Sequence, residues 1–211
     1  MRVTIVSQGP SVKDFHEDCH MVDQADIVIG VNSVVERTPC DWWVMVDARP
    51  FTQYTPIGRP WIFTRRDYVD ADFGACRENA LWKKFCWWPR FNGEHLQDLI
   101  PRCADRTVMC YDVFLPGYGP QPGTLPVWNT LGGLSALGLA YLYRPKVLTL
   151  RGYDMAGTDG ANTPAEGEKQ NRGEKRWEFE HQMFAWWTAQ FVALGTHFDM
   201  KMPAADGKRA L

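Results

Sequence analysis

None of the six cysteines (Cys19, Cys40, Cys76, Cys86, Cys103 and Cys110) stands in a C-x-x-C pair. That argues against a zinc ribbon or a redox motif and leaves them as reduced thiols. Long apolar runs are missing too. The longest, such as Leu134 to Leu142, fall well short of a membrane span, and Met1-Arg2 leads straight into a strand rather than a signal peptide, so a soluble, cytoplasmic protein with no membrane span is expected. There is no excess of either charge: 23 Lys and Arg against 25 Asp and Glu give a net charge of −2. A whole-surface attraction to nucleic acid or anionic membrane is thereby excluded, although a local basic patch is not. No G-x-x-x-x-G-K-[ST] occurs and the opening turn is not G-x-G-x-x-G, so P-loop phosphoryl transfer and a nicotinamide cofactor both lose support. His16, Cys19 and His20 are ligand types without the spacing of a closed site, so neither a metal site nor a resident cofactor is expected.

The chain does have the material for a core. With 211 residues, 45% hydrophobic content and ten Trp, residues 1–211 read as a single domain carrying an insertion. Strands are predicted at Val3–Val6, Asp26–Val31, Trp42–Asp47, Trp61–Thr64, Thr107–Tyr111, Lys146–Arg151 and His197–Met202, several as continuous apolar runs of the kind buried on both faces. A helix is predicted over Thr130–Tyr143, stopped by Arg144-Pro145. A second spans Lys175–Leu194, with Trp177, Phe184, Trp187, Phe191 and Leu194 as a core-facing stripe ended by Gly195. The pattern is α/β with a mostly parallel sheet flanked by helices.

Three stretches interrupt it. Residues 65–102 are rich in Trp, Phe, Lys and Arg ("LWKKFCWWPRF") and read as an insertion or lid. Residues 116–126, "PGYGPQPGTLP", read as a loop unable to hold a helix, and 157–175 as a polar, mobile loop. In the first and just before it, Arg65, Arg66, Lys83, Lys84 and Arg90 interleave with Trp61, Trp82, Trp87 and Trp88, a composition suited to stacking on sugars or exposed bases, or equally to a Trp-rich core under solvated charges.

Polar residues and glycines follow the predicted strands in turn: Gln8-Gly9-Pro10-Ser11, Asn32-Ser33, Asp47-Ala48-Arg49 and Gly152-Tyr153-Asp154. In an open α/β sheet the carboxyl ends of the strands border the ligand crevice, and a small-residue turn there lets backbone amides approach a phosphate. Four such clusters make a plausible nucleotide crevice.

"VTIVSQGPSV", "VIGVNS" and "WNTLGGLSALGLAYLYRPKVLTLRGYDM" together resemble the bacterial sialyltransferases that build lipooligosaccharide. That family's pattern is a first-strand G-x-G-P-S, a second-strand Asn, a Ser/Thr-Gly helix start and a G-x-D after a later strand. The G-P-S opening is also similar to that of the archaeal 6-hydroxymethylpterin diphosphokinases, so the motifs point to a Rossmann-like nucleotide-binding superfamily.

The resemblance implies that Gln8, Gly9 and Ser11 lie beside the nucleotide phosphate and sugar and Asn32 near the donor. It implies further that Thr130, Gly132 and Gly133 line the nucleoside side while Gly152 and Asp154 close the pocket. Gln8 departs from the Asn common in the transferases, and the Tyr residues that steady their leaving phosphate have no clear equivalent. Their general base is a His just before the last long helix. Here His181 falls inside the predicted helix, as a base or as a core histidine. Asp154 is the accompanying catalytic candidate, or else a loop cap. Arg172 and Arg176, with Asp47 and Arg49, are candidates for phosphate or acceptor contacts. The expected activity is metal-independent glycosyl transfer from a nucleotide-sugar donor, with a CMP-sugar as a candidate, to a glycan or a nucleic acid. The alternatives are an ATP- and Mg²⁺-dependent diphosphokinase of the pterin type and a non-catalytic nucleotide- or nucleic-acid-binding protein.

Overall fold

A computed structural model describes residues 1–7, 24–46, 54–65, 85–86, 108–114, 124–129, 131–153 and 174–200. Its strands are β1 (Arg2–Val6), β2 (Ile27–Val31), β3 (Trp42–Val44), β4 (Trp61–Arg65), β5 (Phe85–Cys86), β6 (Val108–Phe114), β7 (Thr124–Pro126), β8 (Val147–Arg151) and β9 (His197–Met200). The helices are α1 (Gly132–Leu142) and α2 (Glu174–Ala193), with a 3₁₀ turn at Asn32–Glu36. Every described pairing is parallel, in the order β5-β6-β4-β3-β2-β1-β8-β9, with β7 alongside β6. The α/β, Rossmann-like architecture is the one the sequence pattern predicts.

Strand β1 lies at the centre. Val3 pairs with Ile27 on one side and Leu148 on the other, and Val6 with Gly30 and Arg151. Because side chains alternate along each strand, this register divides the sheet into two faces. Val3, Ile5, Ile29, Val31, Trp42, Val44, Phe63, Met109, Tyr111, Leu148 and Leu150 share the face that packs on α1 and α2. Thr4, Val6, Val28, Trp43, Ile62 and Thr149 share the other, and they are buried as well. Burial on both faces explains why these strands read as unbroken apolar runs.

Seven consecutive residues of α1, Leu134–Ala140, are buried, so this helix is enclosed rather than amphipathic. Small residues make that possible: a Cβ on Gly138 would stand 2.7 Å from Cδ1 of Leu125. The indole N–H of Trp42 donates to the Tyr143 hydroxyl across 2.6 Å, tying β3 to the end of α1, and desolvation pushes the Tyr143 phenol up. Tyr143 therefore keeps its proton throughout the neutral range.

Helix α2 turns Phe184, Trp187 and Phe191 towards the sheet. Trp187 and Phe191 both meet Tyr141 of α1, at centroid distances of 5.6 and 5.5 Å. The helix ends in a Schellman arrangement: Gly195 has φ 74°, and the N–H of Thr196 donates to the Phe191 carbonyl at 3.0 Å. Leu194, expected in the core, stands at that exit and is exposed, because the chain leaves the helix before its side chain reaches the sheet.

Other expectations change in detail. The Pro-rich stretch 116–126 ends in strand β7, whose last residue is Pro126, an end position at which a missing N–H costs the ladder little. Phe85–Cys86, inside the presumed insertion 65–102, adds a strand to the sheet edge. The rest of that stretch beyond Arg65 and most of the loop 157–175 lie outside the described residues.

Tyr143→Phe removes the acceptor of the Trp42 indole and strands a buried donor, which costs about 1–3 kcal/mol. Urea unfolding should show a lower midpoint with an unchanged slope. An unchanged midpoint would mean that this bond does not hold α1 to β3.

Candidate functional site

From β1 the chain steps to one side through β2, β3, β4 and β6, and only later returns to place β8 on the other side of β1. The connections on the two sides of β1 cover opposite faces of the sheet. The Val35 side chain and the Cys40 thiol lie over Gly30 on one face, whereas α1 covers the other. In open α/β sheets generally, ligands bind outside the carboxyl ends of the two strands at which strand order reverses. In this protein that place is the end of β1 beside the end of β8, where the Ser7 N–H donates to the Arg151 carbonyl at 2.8 Å.

Three features converge there. The first is the start of α1. Its N-cap, Leu131, is extended (φ −112°, ψ 135°) and supplies no side-chain cap. The first helical bond runs from Ser135 N–H to Leu131 carbonyl, so the amides of Gly132, Gly133 and Leu134 precede the intrahelical ladder. A Cβ on Gly132 would lie 2.8 Å from Cγ1 of Val31, which shows how closely the helix start sits on the end of β2. The second is Asn32, which leaves β2 with φ 50°, a conformation Asn tolerates better than most residues. Its carbonyl accepts the Trp43 indole N–H at 3.0 Å, which fixes the bend. The third is Gly152, leaving β8 with φ 71°.

Tyr153 joins these parts. Its hydroxyl donates to the Gly133 carbonyl at 2.7 Å, and its ring lies 6.1 Å from that of Phe184 on α2. Burial pushes its phenol well up, so this donor stays protonated at neutral pH. Behind α1, the hydroxyls of Tyr111 and Ser135 both donate to the Asn129 carbonyl, and the Asn129 amide donates to the Leu134 carbonyl at 2.7 Å. The first turn of the helix is thus fixed from both sides.

Of the predicted site residues, Asn32, Gly132, Gly133 and Gly152 come together at this edge. Gln8, Gly9, Ser11, Asp47, Arg49, Thr130, Asp154 and Arg172 lie outside the described residues; Arg176 lies on α2, where its backbone alone is described. The reading of His181 as a core histidine is corrected: His181 is exposed, and Glu180 is buried in its place. At 100° per residue, position 181 falls roughly 60–120° away from Phe184, Trp187 and Phe191, whereas 180 falls within about 40° of each.

Sequence reasoning gave Tyr153 no role of its own within the Gly152-Tyr153-Asp154 cluster, and it missed Glu180, which the helical phase would have found. It also missed Arg151, whose guanidinium is buried and reaches β9, bonding the Asp199 carbonyl at 3.3 Å and lying 3.7 Å from its carboxylate. That orientation makes Arg151 a brace between β8 and β9.

Among the described residues no three His, Cys, Asp or Glu lie close enough to hold a metal, and no helix is long and apolar enough to cross a membrane. No known protein family, curated protein or solved structure matches the chain.

The two edge glycines make different demands. Gly152→Ala puts a Cβ on a left-handed residue and should lower stability by about 1–2 kcal/mol. Gly133→Ala brings its Cβ only to 3.4 Å from Tyr153 Cε1 and should be nearly neutral. Equal thermal-unfolding losses in the two variants would contradict the geometry of this edge.

Proposed function

We propose that this protein binds a nucleotide in the crevice between the ends of β1 and β8 and transfers a sugar from a nucleotide-sugar donor. The observation that carries the binding half of this reading is the coincidence of the strand-order reversal with an uncapped helix start, Gly132-Gly133. Amides at a helix start favour anionic oxygens through hydrogen bonding and the helix dipole. Glycines at 132 and 133 leave their path clear of side chains. Asn32 and Gly152 flank the same opening from β2 and β8.

The transfer half rests on the resemblance carried by Gly9-Pro10-Ser11, Asn32, the Gly132-Gly133 helix start and Gly152-Tyr153-Asp154. In this reading the phosphate of the donor lies against the first turn of α1 while the sugar faces the acceptor, a glycan or a nucleic acid. Hydrogen bonds from fixed amides stabilise the charge that gathers on the departing phosphate. One feature keeps a metal-dependent alternative in view: Asp70-Ala71-Asp72 has the D-x-D pattern of metal-binding transferases, in a stretch outside the described residues. An ATP- and Mg²⁺-dependent diphosphokinase, whose family's G-P-S opening Gly9-Pro10-Ser11 also resembles, is the second reading.

Thermal unfolding with CMP, UDP, GDP or ATP, each in EDTA and in Mg²⁺, separates these readings. A nucleotide at a hundred times its Kd adds about 2.7 kcal/mol, and for a chain of this size raises Tm by roughly 5–10 °C. The expected result is a rise with CMP or another sugar-carrying nucleotide that survives EDTA. A rise with ATP alone and only in Mg²⁺ would favour the diphosphokinase, and no rise with any nucleotide would overturn the site.

A further inference from the structure

The stripe by which α2 packs on the domain ends in a carboxylate. From residue 178 to 182 every side chain is exposed except Glu180, which is 7% exposed. Glu180 is in phase with Phe184, Trp187 and Phe191, so it continues the buried line where an apolar residue would have been cheaper to enclose.

Its height along the helix is fixed by contacts. Since β8 and β9 are parallel neighbours, α2 runs back from the carboxyl edge of the sheet to the amino edge, and its first turns stand at the crevice end. Trp187 and Phe191 lie level with Tyr141 near the end of α1. Phe184 lies level with Tyr153, which bonds Gly133 at the start of α1. Glu180 is four residues further, about 6 Å beyond Phe184 along the axis. Counted back from the Tyr141 contacts at 1.5 Å per residue, it therefore stands about level with the first turn of α1, on the side of α2 that faces the domain. His181, next to it, is turned to solvent.

We propose that Glu180 is the general base of the transfer reaction, an assignment that rests on the nucleotide-sugar reading above. Its carboxylate takes the proton of the acceptor hydroxyl while that oxygen bonds to the anomeric carbon of the donor sugar. The bond from that carbon to the phosphate oxygen breaks, and its electron pair leaves on the nucleotide, against the amides of Gly132 and Gly133. A base held in place by a packed helix is in position before the acceptor arrives, which is where general-base help gains its rate.

The test uses the full chain with CMP-N-acetylneuraminic acid, UDP-glucose and GDP-mannose as donors and lactose or water as acceptor, following nucleotide release. Glu180→Gln should lower kcat a hundredfold or more while donor KM stays within about threefold and the Tm rise with the matching nucleotide is kept. Formate should restore part of the rate to Glu180→Ala, a rescue that a purely structural carboxylate would not show. If the Gln variant unfolds, Glu180→Asp replaces it, with a tenfold or greater loss of kcat expected from the withdrawn carboxylate. Near-normal kcat in a folded Gln or Asp variant, or His181→Ala losing the rate instead, overturns the assignment. A wild-type protein that binds nucleotide but releases none from these donors also overturns it and leaves the nucleotide site standing. Absence of any nucleotide-induced Tm rise would instead sink the reading beneath it.

Discussion

Everything at the proposed site depends on the two-sided hydrogen bonding of β1. A parallel strand in register with β2 on one side and β8 on the other brings three strand ends to one edge within two strand spacings. The arrangement is anchored at its far end. The Met1 carbonyl accepts the Lys146 N–H at 2.9 Å, and the Asp26 carboxylate accepts the Arg2 N–H at 2.7 Å. With register set there, a slip of one residue would exchange Val3 and Ile5 for Thr4 and Val6 on the helix-covered face. The packing of α1 and α2 therefore enforces the alignment that brings Ser7, Asn32 and Gly152 to a common edge.

Helix α1 conveys this order to the crevice. It is locked to the sheet through Trp42 and Tyr143 at its end and through Tyr153, Asn129 and Ser135 at its start. A helix so held presents its first amides with little freedom left to lose, and preorganised donors bind or stabilise an anion more strongly than mobile ones. Tyr153 has a double part in this, because the same ring that bonds Gly133 also seats Phe184 and so sets the height of α2. The amides at the start of α1 and the first turns of α2 are positioned through one buried tyrosine.

Much of this fold is legible in the sequence because parallel, doubly buried strands announce themselves as apolar runs. The predicted strands Val3–Val6, Asp26–Val31 and Lys146–Arg151 fall within one residue of β1, β2 and β8 for that reason. Strands β5 and β7 are not, since two or three residues at an edge carry too little pattern, and Thr124–Pro126 hides in a stretch of Pro and Gly. At the site, Gly152 and Asn32 leave their strands with φ values of 71° and 50°, angles that call for particular residues and so make these two positions stand out in the sequence. His181 reads as a core residue because it lies four residues after Trp177 and three before Phe184, a spacing that sets it beside the apolar stripe and not on it. A shift of one position, about 100° around α2, exchanges an exposed imidazole for a buried carboxylate.

The central claim, that the crevice lies at the carboxyl edge between β1 and β8, is tested most directly by hydrogen–deuterium exchange with and without CMP. Added protection is predicted in peptides covering residues 27–36, 131–137 and 147–153, with none in the amino-edge segment 143–146. Protection that appears at the amino edge and spares the start of α1 would contradict the account.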